Sequence, residues 1–336
     1  MSEVVSGTPP RSSSGGLIQV GLLFGAFLYY TCDTSSMSSF LTSTLTTLLG
    51  VTTIALGGLY FLQDSLLYFP QVPDGARTHV MDPSAVGLDG ETVTLRSADG
   101  SLALHGLFLP APASPGTAPT FLFFHGNAGN IGHRLPNAYH LVGLGANVFL
   151  AEYRGYGLSQ GTPSQAGMEA DAHVALDWLL AQDDNKVDKD KIIVFGRSLG
   201  GAVAISLVQA RPDDVAALVV ENTFLSVLDM IDVVMPIFSP FKPLCSNPWL
   251  SRDRIPDISL PILFLSGKMD ELVPAAHMET LFQLVPDKSK AVWVPFADGT
   301  HNETWLCPGY FDAIRAFLNS DLPRIQSATS DPRSDP

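Results

Sequence analysis

Short apolar runs recur along the chain from residue 91 onward, and most have the length of a β-strand. Eight such runs predict strands, at residues 91–95, 102–109, 120–124, 146–153, 192–195, 216–221, 262–265 and 291–296. Between them lie segments with apolar residues three and four positions apart, which predict helices at residues 164–181, 199–210, 275–285 and 310–319. Because helices and strands alternate from the third strand onward, we predict an α/β fold with a mostly parallel central sheet and helices on both faces.

A long uncharged segment precedes the predicted strands. Residues 41–62 contain no charged side chain and are numerous enough, as a helix, to cross the roughly 30 Å hydrocarbon layer of a bilayer. Threonines lower the apolar character of this segment, but their hydroxyls can bond back to helix carbonyls. The sequence therefore predicts a transmembrane signal anchor at residues 41–62, one α/β domain at residues 66–320, and a disordered tail at residues 321–336.

A second apolar segment, residues 17–30, lies in the N-terminal tail of residues 1–40. It is too short to span a bilayer comfortably, so it is a signal-peptide core, an interfacial helix or part of a second span. Arg11 precedes both apolar segments and the next basic residue after the anchor is Arg77, which favours a cytosolic N-terminus. One span then puts the domain on the lumenal or exoplasmic side, and two spans return it to the cytosol. We expect a single-pass protein of the endoplasmic reticulum or the plasma membrane.

Charge, motif and cysteine content argue against several classes of ligand. The formal net charge is -14 and no basic stripe is present, which argues against binding to nucleic acid. No histidine and cysteine cluster has metal-ligand spacing, and no nucleotide-binding motif occurs, so we expect no metal and no cofactor. Apart from Cys32, the cysteines are Cys245 and Cys307, which are either a disulfide in a lumenal domain or two free thiols.

A serine stands at a sharp turn between a predicted strand and a predicted helix. The pentapeptide Gly196-Arg197-Ser198-Leu199-Gly200 follows the strand at 192–195 and opens the helix at 199–210. Such an elbow forces its serine into a strained conformation, exposes the hydroxyl and places it at a helix N-terminus, where developing negative charge is favoured. Ser198 is therefore the candidate nucleophile.

A glycine-rich loop follows the predicted strand at 120–124. Acyl transfer needs two backbone N–H groups aimed at the oxyanion, one from the residue after the nucleophile and one from a loop after an early strand. Leu199 and Asn127 are the positions that fit. A phosphate-binding loop is the alternative for this segment, but neither glycine pattern of nucleotide sites follows the strand.

A serine nucleophile needs a histidine base that a carboxylate orients, and in elbow hydrolases the chain order is serine, acid, histidine. His301 follows an apolar strand through a short loop, whereas His277 lies in a helical pattern typical of surface or packing residues, so we favour His301. Asp270 follows another buried strand and is the predicted acid. Glu271 could substitute for it, Asp270 could merely cap the next helix, and Asp229 and Glu221 are weaker alternatives.

The connection between the sixth and seventh predicted strands is unusually long. Residues 222–256 hold many large apolar side chains, among them Phe238 and Phe241, and so long a connection usually has a function. We predict a short helical cap above the elbow that favours lipid-like substrates, with Phe238 and Phe241 acting in chain-length selection. The alternative is ordinary packing of an extra helix on the domain.

The motifs at the strand ends form a recognisable set. They are His125-Gly126-Asn127-Ala128-Gly129-Asn130, Glu152-Tyr153-Arg154-Gly155-Tyr156-Gly157, Gly196-Arg197-Ser198-Leu199-Gly200-Gly201, Glu221-Asn222-Thr223-Phe224 and Gly299-Thr300-His301-Asn302-Glu303-Thr304-Trp305. From about residue 66 to residue 318 the chain resembles the α/β-hydrolase superfamily, and more closely its membrane-anchored bud-emergence group. One departure is Glu152, where that group more often has aspartate. We interpret the segment around it as a glycine turn that packs the strand end.

The resemblance implies an α/β-hydrolase fold, a triad of Ser198, Asp270 and His301, an oxyanion hole at Asn127 and Leu199, and an N-terminal signal anchor. We therefore predict a membrane-anchored serine hydrolase of acyl esters or thioesters, with S-acylated proteins among its substrates. Two alternatives stay open: a serine peptidase, and a non-catalytic scaffold that keeps the hydrolase fold at a membrane.

Overall fold

The computed structural model describes residues 34–320 of the chain. The predictions for the segment at 17–30, for Cys32 and for the tail at 321–336 lie outside the described residues. The chain divides into two units, residues 1–61 and residues 62–336. Helix α1 (Thr34–Leu67) supplies the described part of the first unit and the opening residues of the second.

Helix α1 is longer than the predicted anchor of residues 41–62. Its 34 residues extend about 50 Å at the helical rise, so the helix exceeds the roughly 30 Å of a hydrocarbon layer. Residues Ser36–Leu67 are long and apolar enough to cross a membrane. The threonine hydroxyls bond back to the helix as predicted, for example from Thr42 to the Ser38 carbonyl at 2.8 Å and from Thr53 to the Leu49 carbonyl at 2.8 Å.

The second unit is built on one eight-stranded sheet. Its strands are β1 (Glu91–Arg96), β2 (Ala103–Leu109), β3 (Thr120–Phe124), β4 (Asn147–Ala151), β5 (Ile192–Arg197), β6 (Ala217–Glu221), β7 (Ile262–Gly267) and β8 (Ala291–Phe296). They lie in the order β1-β2-β4-β3-β5-β6-β7-β8. β2 pairs antiparallel with both β1 and β4, and all the other pairs are parallel. The predicted mostly parallel sheet is confirmed.

Helices cover both faces of this sheet. They are α2 (Leu135–Gly143), α3 (Gln165–Leu180), α4 (Leu199–Ala210), α5 (Val227–Val234), α6 (Ser251–Arg254), α7 (Ala275–Leu284) and α8 (Tyr310–Ser320). Alternate strand residues point to opposite faces, so Leu122 and Phe124 of β3 pack with α3, α4 and α7, whereas Phe121 and Phe123 pack with α2 and α8. Helix α2 was not predicted. It is short and carries Pro136 in its first turn, where the missing N–H needs no acceptor.

The region predicted as a cap contains α5, a 3-10 helix at Pro236–Leu244 and α6, and it ends in a further 3-10 helix at Ile255–Asp257. Ser226 precedes helix α5, and its hydroxyl oxygen accepts the Asp229 N–H at 3.0 Å and so caps the helix. Cys245 and Cys307 are both free thiols, which excludes the predicted disulfide alternative in this structure.

Candidate active site

Ser198 occupies the turn between β5 and α4 in a strained backbone conformation. Its φ and ψ angles are 53° and -121°, in a region that residues with a side chain rarely adopt. The flanking glycines allow this turn because a Cβ on Gly196 would lie 2.1 Å from the Gly200 carbonyl oxygen. A Cβ on Gly200 would lie 2.1 Å from the Phe124 carbonyl oxygen. The elbow therefore requires glycine at both places.

His301 lies between the serine and a carboxylate. Its Nε2 is 3.0 Å from Ser198 Oγ, and its Nδ1 is 2.7 Å from Asp270 Oδ2. Both side chains of the His301–Asp270 pair are nearly inaccessible to solvent, at 6% and 1% exposure. A carboxylate can only accept, so the proton of the neutral ring is on Nδ1, and Nε2 is free to accept the serine proton. The structure thus brings together the three predicted residues.

The alternatives for base and acid have other contacts. The His277 ring accepts the Leu225 N–H at 3.2 Å, and burial lowers its pKa, so it is a neutral packing residue of α7. Glu271 accepts the backbone N–H of His301 at 3.1 Å, which makes it a support for the histidine loop. Asp270 also binds the turn that precedes α7, because its Oδ1 accepts the backbone N–H groups of Leu272 and Val273.

The predicted oxyanion groups lie beside Ser198. A Cβ built on Gly126 would be 3.5 Å from the Ser198 Cβ, so the loop after β3 touches the nucleophile. Asn127 and Leu199 line the same pocket as Ser198 and His301. Between residues 34 and 320, no protein acceptor binds the backbone N–H of Asn127 or of Leu199. Both donors are therefore available to a substrate oxygen, as an oxyanion hole requires.

The Asn127 side chain fixes the loop that carries its backbone N–H. Its Nδ2 donates to the Leu67 carbonyl at 2.6 Å, and its Oδ1 accepts from Tyr156 Oη at 2.8 Å and from the Phe69 N–H at 3.3 Å. Three elements thus hold one side chain, including the last residue of α1. The sequence predicted the position of Asn127 but not these contacts.

A buried hydrogen-bonded pair, His125 and Glu152, supports the same loop. His125 Nε2 is 2.7 Å from Glu152 Oε1, and Glu152 Oε2 accepts the Ile131 N–H at 3.1 Å. Gly157 lies against this carboxylate at φ 45°, where a Cβ would be 2.0 Å from Glu152 Oε2. The segment 152–157 therefore does more than form the turn that we predicted, because Glu152 holds the loop after β3 that carries Asn127.

The histidine loop has two further supports that sequence reasoning missed. Arg197 Nη2 donates to the His301 carbonyl at 2.6 Å and to Asn302 Oδ1 at 2.7 Å. Asn222 Nδ2 donates to the same carbonyl at 3.2 Å from the end of β6. The available signal was the position of both residues, since each directly follows or ends a parallel strand next to Ser198.

A largely apolar cavity of about 490 Å³ opens over Ser198. Many of the apolar side chains around it come from α5 and from the end of α1, namely Val227, Met230, Ile231, Val234, Leu66 and Leu67, and others come from neighbouring loops, among them Phe69, Phe224 and Val273. The prediction that Phe238 and Phe241 act in this pocket is wrong. They lie on the 3-10 helix after α5 and are not among the lining residues. Among residues 34–320, no three His, Cys, Asp or Glu side chains are grouped so that they could hold a metal ion.

Comparison with known proteins identifies sequence relatives along most of the chain. Residues 117–250 match the family model described as serine aminopeptidase, S33. Protein bem46 of Schizosaccharomyces pombe is 44% identical over 80% of this chain and 90% of its own length. The α/β-hydrolase domain-containing protein WAV2 of Arabidopsis thaliana is 40% identical over 82% of this chain and 93% of its own. The uncharacterized membrane protein YNL320W of Saccharomyces cerevisiae is 36% identical over 81% of this chain and 94% of its own.

Solved structures share the fold at lower identity. An esterase of Pyrococcus furiosus has a TM-score of 0.60 and 19% identity, over 76% of this chain and 98% of that chain. An α/β hydrolase of Vibrio vulnificus has a TM-score of 0.60 and 21% identity, over 72% of this chain and 88% of that chain. At these identities the likeness establishes the fold and leaves the substrate open.

Proposed function

Because this chain belongs to the α/β-hydrolase family, together with Protein bem46 and WAV2, we propose that it is a membrane-anchored serine hydrolase that cleaves acyl esters or thioesters. The observation that carries the proposal is the hydrogen-bonded line from Asp270 through His301 to Ser198. This line ends under an apolar pocket and beside two backbone donors without protein acceptors.

The proposed reaction has two proton-coupled halves. As Ser198 Oγ bonds to the acyl carbon, His301 Nε2 takes its proton, and the carbonyl electron pair moves to oxygen, where the N–H groups of Asn127 and Leu199 stabilise it. The imidazolium, held by Asp270, then gives that proton to the leaving alcohol or thiol as the C–O or C–S bond breaks. Water attacks the acyl-enzyme by the same steps and releases the acid.

The chemistry of the pocket favours an acyl chain as the bound group. Its volume lies within the range of small-molecule sites, and apolar side chains dominate its walls. Helix α1 is the proposed anchor in the bilayer, at the endoplasmic reticulum or the plasma membrane, and keeps the site near lipids and S-acylated proteins. We therefore propose lipid-like acyl esters and protein thioesters as the substrate class, and no nucleic-acid partner.

Labelling with a fluorophosphonate tests the proposal, since this probe reacts only with an activated serine. Wild-type protein should label covalently, and Ser198→Ala should not. His301→Ala should label slower by orders of magnitude, because the general base is gone. His277→Ala is the matched control and should label at the wild-type rate. Folded wild-type protein that does not label would favour the scaffold alternative.

A peptidase would use the same acyl-enzyme, and the matching family model carries the description of a serine aminopeptidase. A panel of matched acyl esters, acyl thioesters and aminoacyl amides separates the two activities. Faster turnover of the esters and thioesters supports the proposal. Turnover of the amides alone would replace it with the peptidase.

A further inference from the structure

The charged residues that line the pocket are of one sign. Arg134 and Arg197 contribute to the walls, beside Ser198 and His301, and among residues 34–320 no aspartate or glutamate lines the pocket. The whole chain, by contrast, has a formal charge of -14. A local excess of cations in so acidic a protein indicates that this pocket selects for an anion.

Arg197 already has partners within the protein. It is 3% exposed, it holds the His301 loop through Nη2, and its Nε lies 3.8 Å from Glu221 Oε1. Glu221 is itself fully buried and accepts the Tyr310 hydroxyl at 2.9 Å. Burial raises the pKa of Glu221, which means that its site disfavours the negative charge. Within the described residues, the ion pair of Glu221 is with Arg197.

Arg134 has no such partner. It ends the 3-10 helix Ile131–Arg134 and is half-buried, and no hydrogen bond or ion pair joins its guanidinium to any residue in the described part of the chain. Its Nε is fully buried without an acceptor. Burial, and then the neighbouring Arg197, lower its pKa to about 10, so it stays charged at neutral pH.

The carboxylate that acts on Arg134 cannot balance this charge. Glu221 attracts both Arg134 and Arg197, so one buried carboxylate faces two guanidinium groups. An unpaired and partly buried cation lowers the free energy of unfolding. A protein retains such a cation where a ligand supplies the missing anion. The planar guanidinium fork matches the geometry of a carboxylate or a phosphate, which it binds with two parallel hydrogen bonds.

We propose that Arg134 binds an anionic group, a carboxylate or a phosphate, that is carried by the acyl substrate of Ser198. The substrate is then an anionic amphiphile, whose apolar part packs against α5 and the end of α1 while its charged group meets Arg134. This inference rests on the proposed hydrolase function, because it concerns the substrate of the same site.

The test compares two esters with the same acyl chain, one with an anionic terminal group and one with a neutral terminal group. The 4-nitrophenyl monoester of adipic acid keeps a free carboxylate, and its methyl ester is neutral. In Arg134→Gln the ratio of kcat/KM for the acidic ester to that for the neutral ester should fall about 10- to 100-fold, as expected for one lost hydrogen bond to a charged group. Arg315→Gln removes the same charge from an exposed position on α8 and should leave the ratio unchanged.

Two further measurements complete the test. Arg134→Lys keeps the charge without the fork and should give an intermediate ratio, and it replaces Arg134→Gln if that variant does not fold. Octanoate and octyl phosphate are compared as inhibitors of neutral-ester turnover, with octanol as the uncharged control. Whichever anion loses more potency in Arg134→Gln identifies the bound group.

A ratio that is the same in wild type, Arg134→Gln and Arg134→Lys would overturn the proposal and assign Arg134 a structural role. Equal inhibition by octanol and both anions would overturn it as well. Either result leaves the hydrolase function intact as long as wild-type Ser198 reacts with the fluorophosphonate. Failure of that labelling would instead remove the hydrolase function itself.

Discussion

Replacing Asp270 with asparagine would keep the shape of the side chain but put an N–H donor where the carboxylate accepts the His301 Nδ1 proton. The carboxylate accepts three hydrogen bonds, and two of them reach Oδ1 from the backbone N–H groups of Leu272 and Val273 at 2.9 and 2.7 Å. An asparagine oxygen can accept both. The amide nitrogen then faces His301 Nδ1, which must accept, so the ring proton moves to Nε2. In that tautomer the ring cannot take the Ser198 proton.

The expected effect on catalysis is much larger than the effect on folding. Loss of the correct tautomer in a serine triad lowers kcat by about 10⁴, which corresponds to about 5 kcal/mol of barrier. All three hydrogen bonds persist but lose the charge of the carboxylate, so the free energy of unfolding should fall by only about 1.5–3 kcal/mol. Ester turnover measures the first quantity, and urea unfolding measures the second.

Glu271→Gln is the matched control, because it removes the neighbouring carboxylate and touches only the His301 backbone N–H. It should change kcat less than tenfold. If Asp270→Asn were folded and turned over ester within tenfold of wild type, the assignment of Asp270 as the group that orients His301 would be refuted.

Three more outcomes follow from the packing of the site. Gly200→Ala should destabilise folding by about 3 kcal/mol or prevent it, because the new Cβ would lie 2.1 Å from the Phe124 carbonyl oxygen; thermal unfolding measures this. Burial lowers the pKa of His277, so its contribution to stability is present above pH of about 6.5 and is lost as pH falls toward the folded pKa. In His277→Gln the amide oxygen can still accept the Leu225 N–H. Urea unfolding should therefore show that this variant loses less stability between pH 7.5 and pH 5 than wild type does. Ile231→Trp should shorten the pocket, and exclusion of four methylenes would lower the dodecanoyl-to-butanoyl ratio of kcat/KM by roughly 100-fold.

Each of these outcomes has a matched comparison. Gly143→Ala places its Cβ in open space and should leave stability within about 1 kcal/mol of wild type. Ile237→Trp changes a residue that is 78% exposed and outside the pocket wall, so the chain-length ratio should not move. A wild-type melting temperature for Gly200→Ala, an unaltered acid sensitivity for His277→Gln, or equal ratios for Ile231→Trp and Ile237→Trp would each contradict the packing described here.

The sequence was most informative where local pattern and chemistry coincide. Apolar runs of strand length predicted the eight strands, and the pentapeptide around Ser198 predicted the elbow between β5 and α4. The order of serine, acid and histidine along the chain then placed Asp270 and His301, and the structure brings their side chains into contact. These features depend on residues that are close in sequence or that follow parallel strands at one edge of the sheet.

What the sequence could not predict depends on long-range packing. The contact of Arg197 with the His301 carbonyl joins residues 104 positions apart, and the contact of Asn127 with the Leu67 carbonyl joins residues 60 apart. Neither leaves a local pattern. The prediction that Phe238 acts in the pocket was wrong for another reason. A short helical segment with apolar residues on several sides does not reveal which side faces the pocket.

The most direct test of the central claim is to trap the acyl group on the enzyme. The protein is mixed with a 4-nitrophenyl acyl ester, quenched in acid within the first turnover, digested and analysed by mass spectrometry. The acyl mass is predicted on the peptide that contains Ser198, and it should be absent from Ser198→Ala. Ester hydrolysis with the acyl group on another residue would contradict the account. Ester hydrolysis with no acyl-enzyme in either wild type or His301→Ala would contradict it as well.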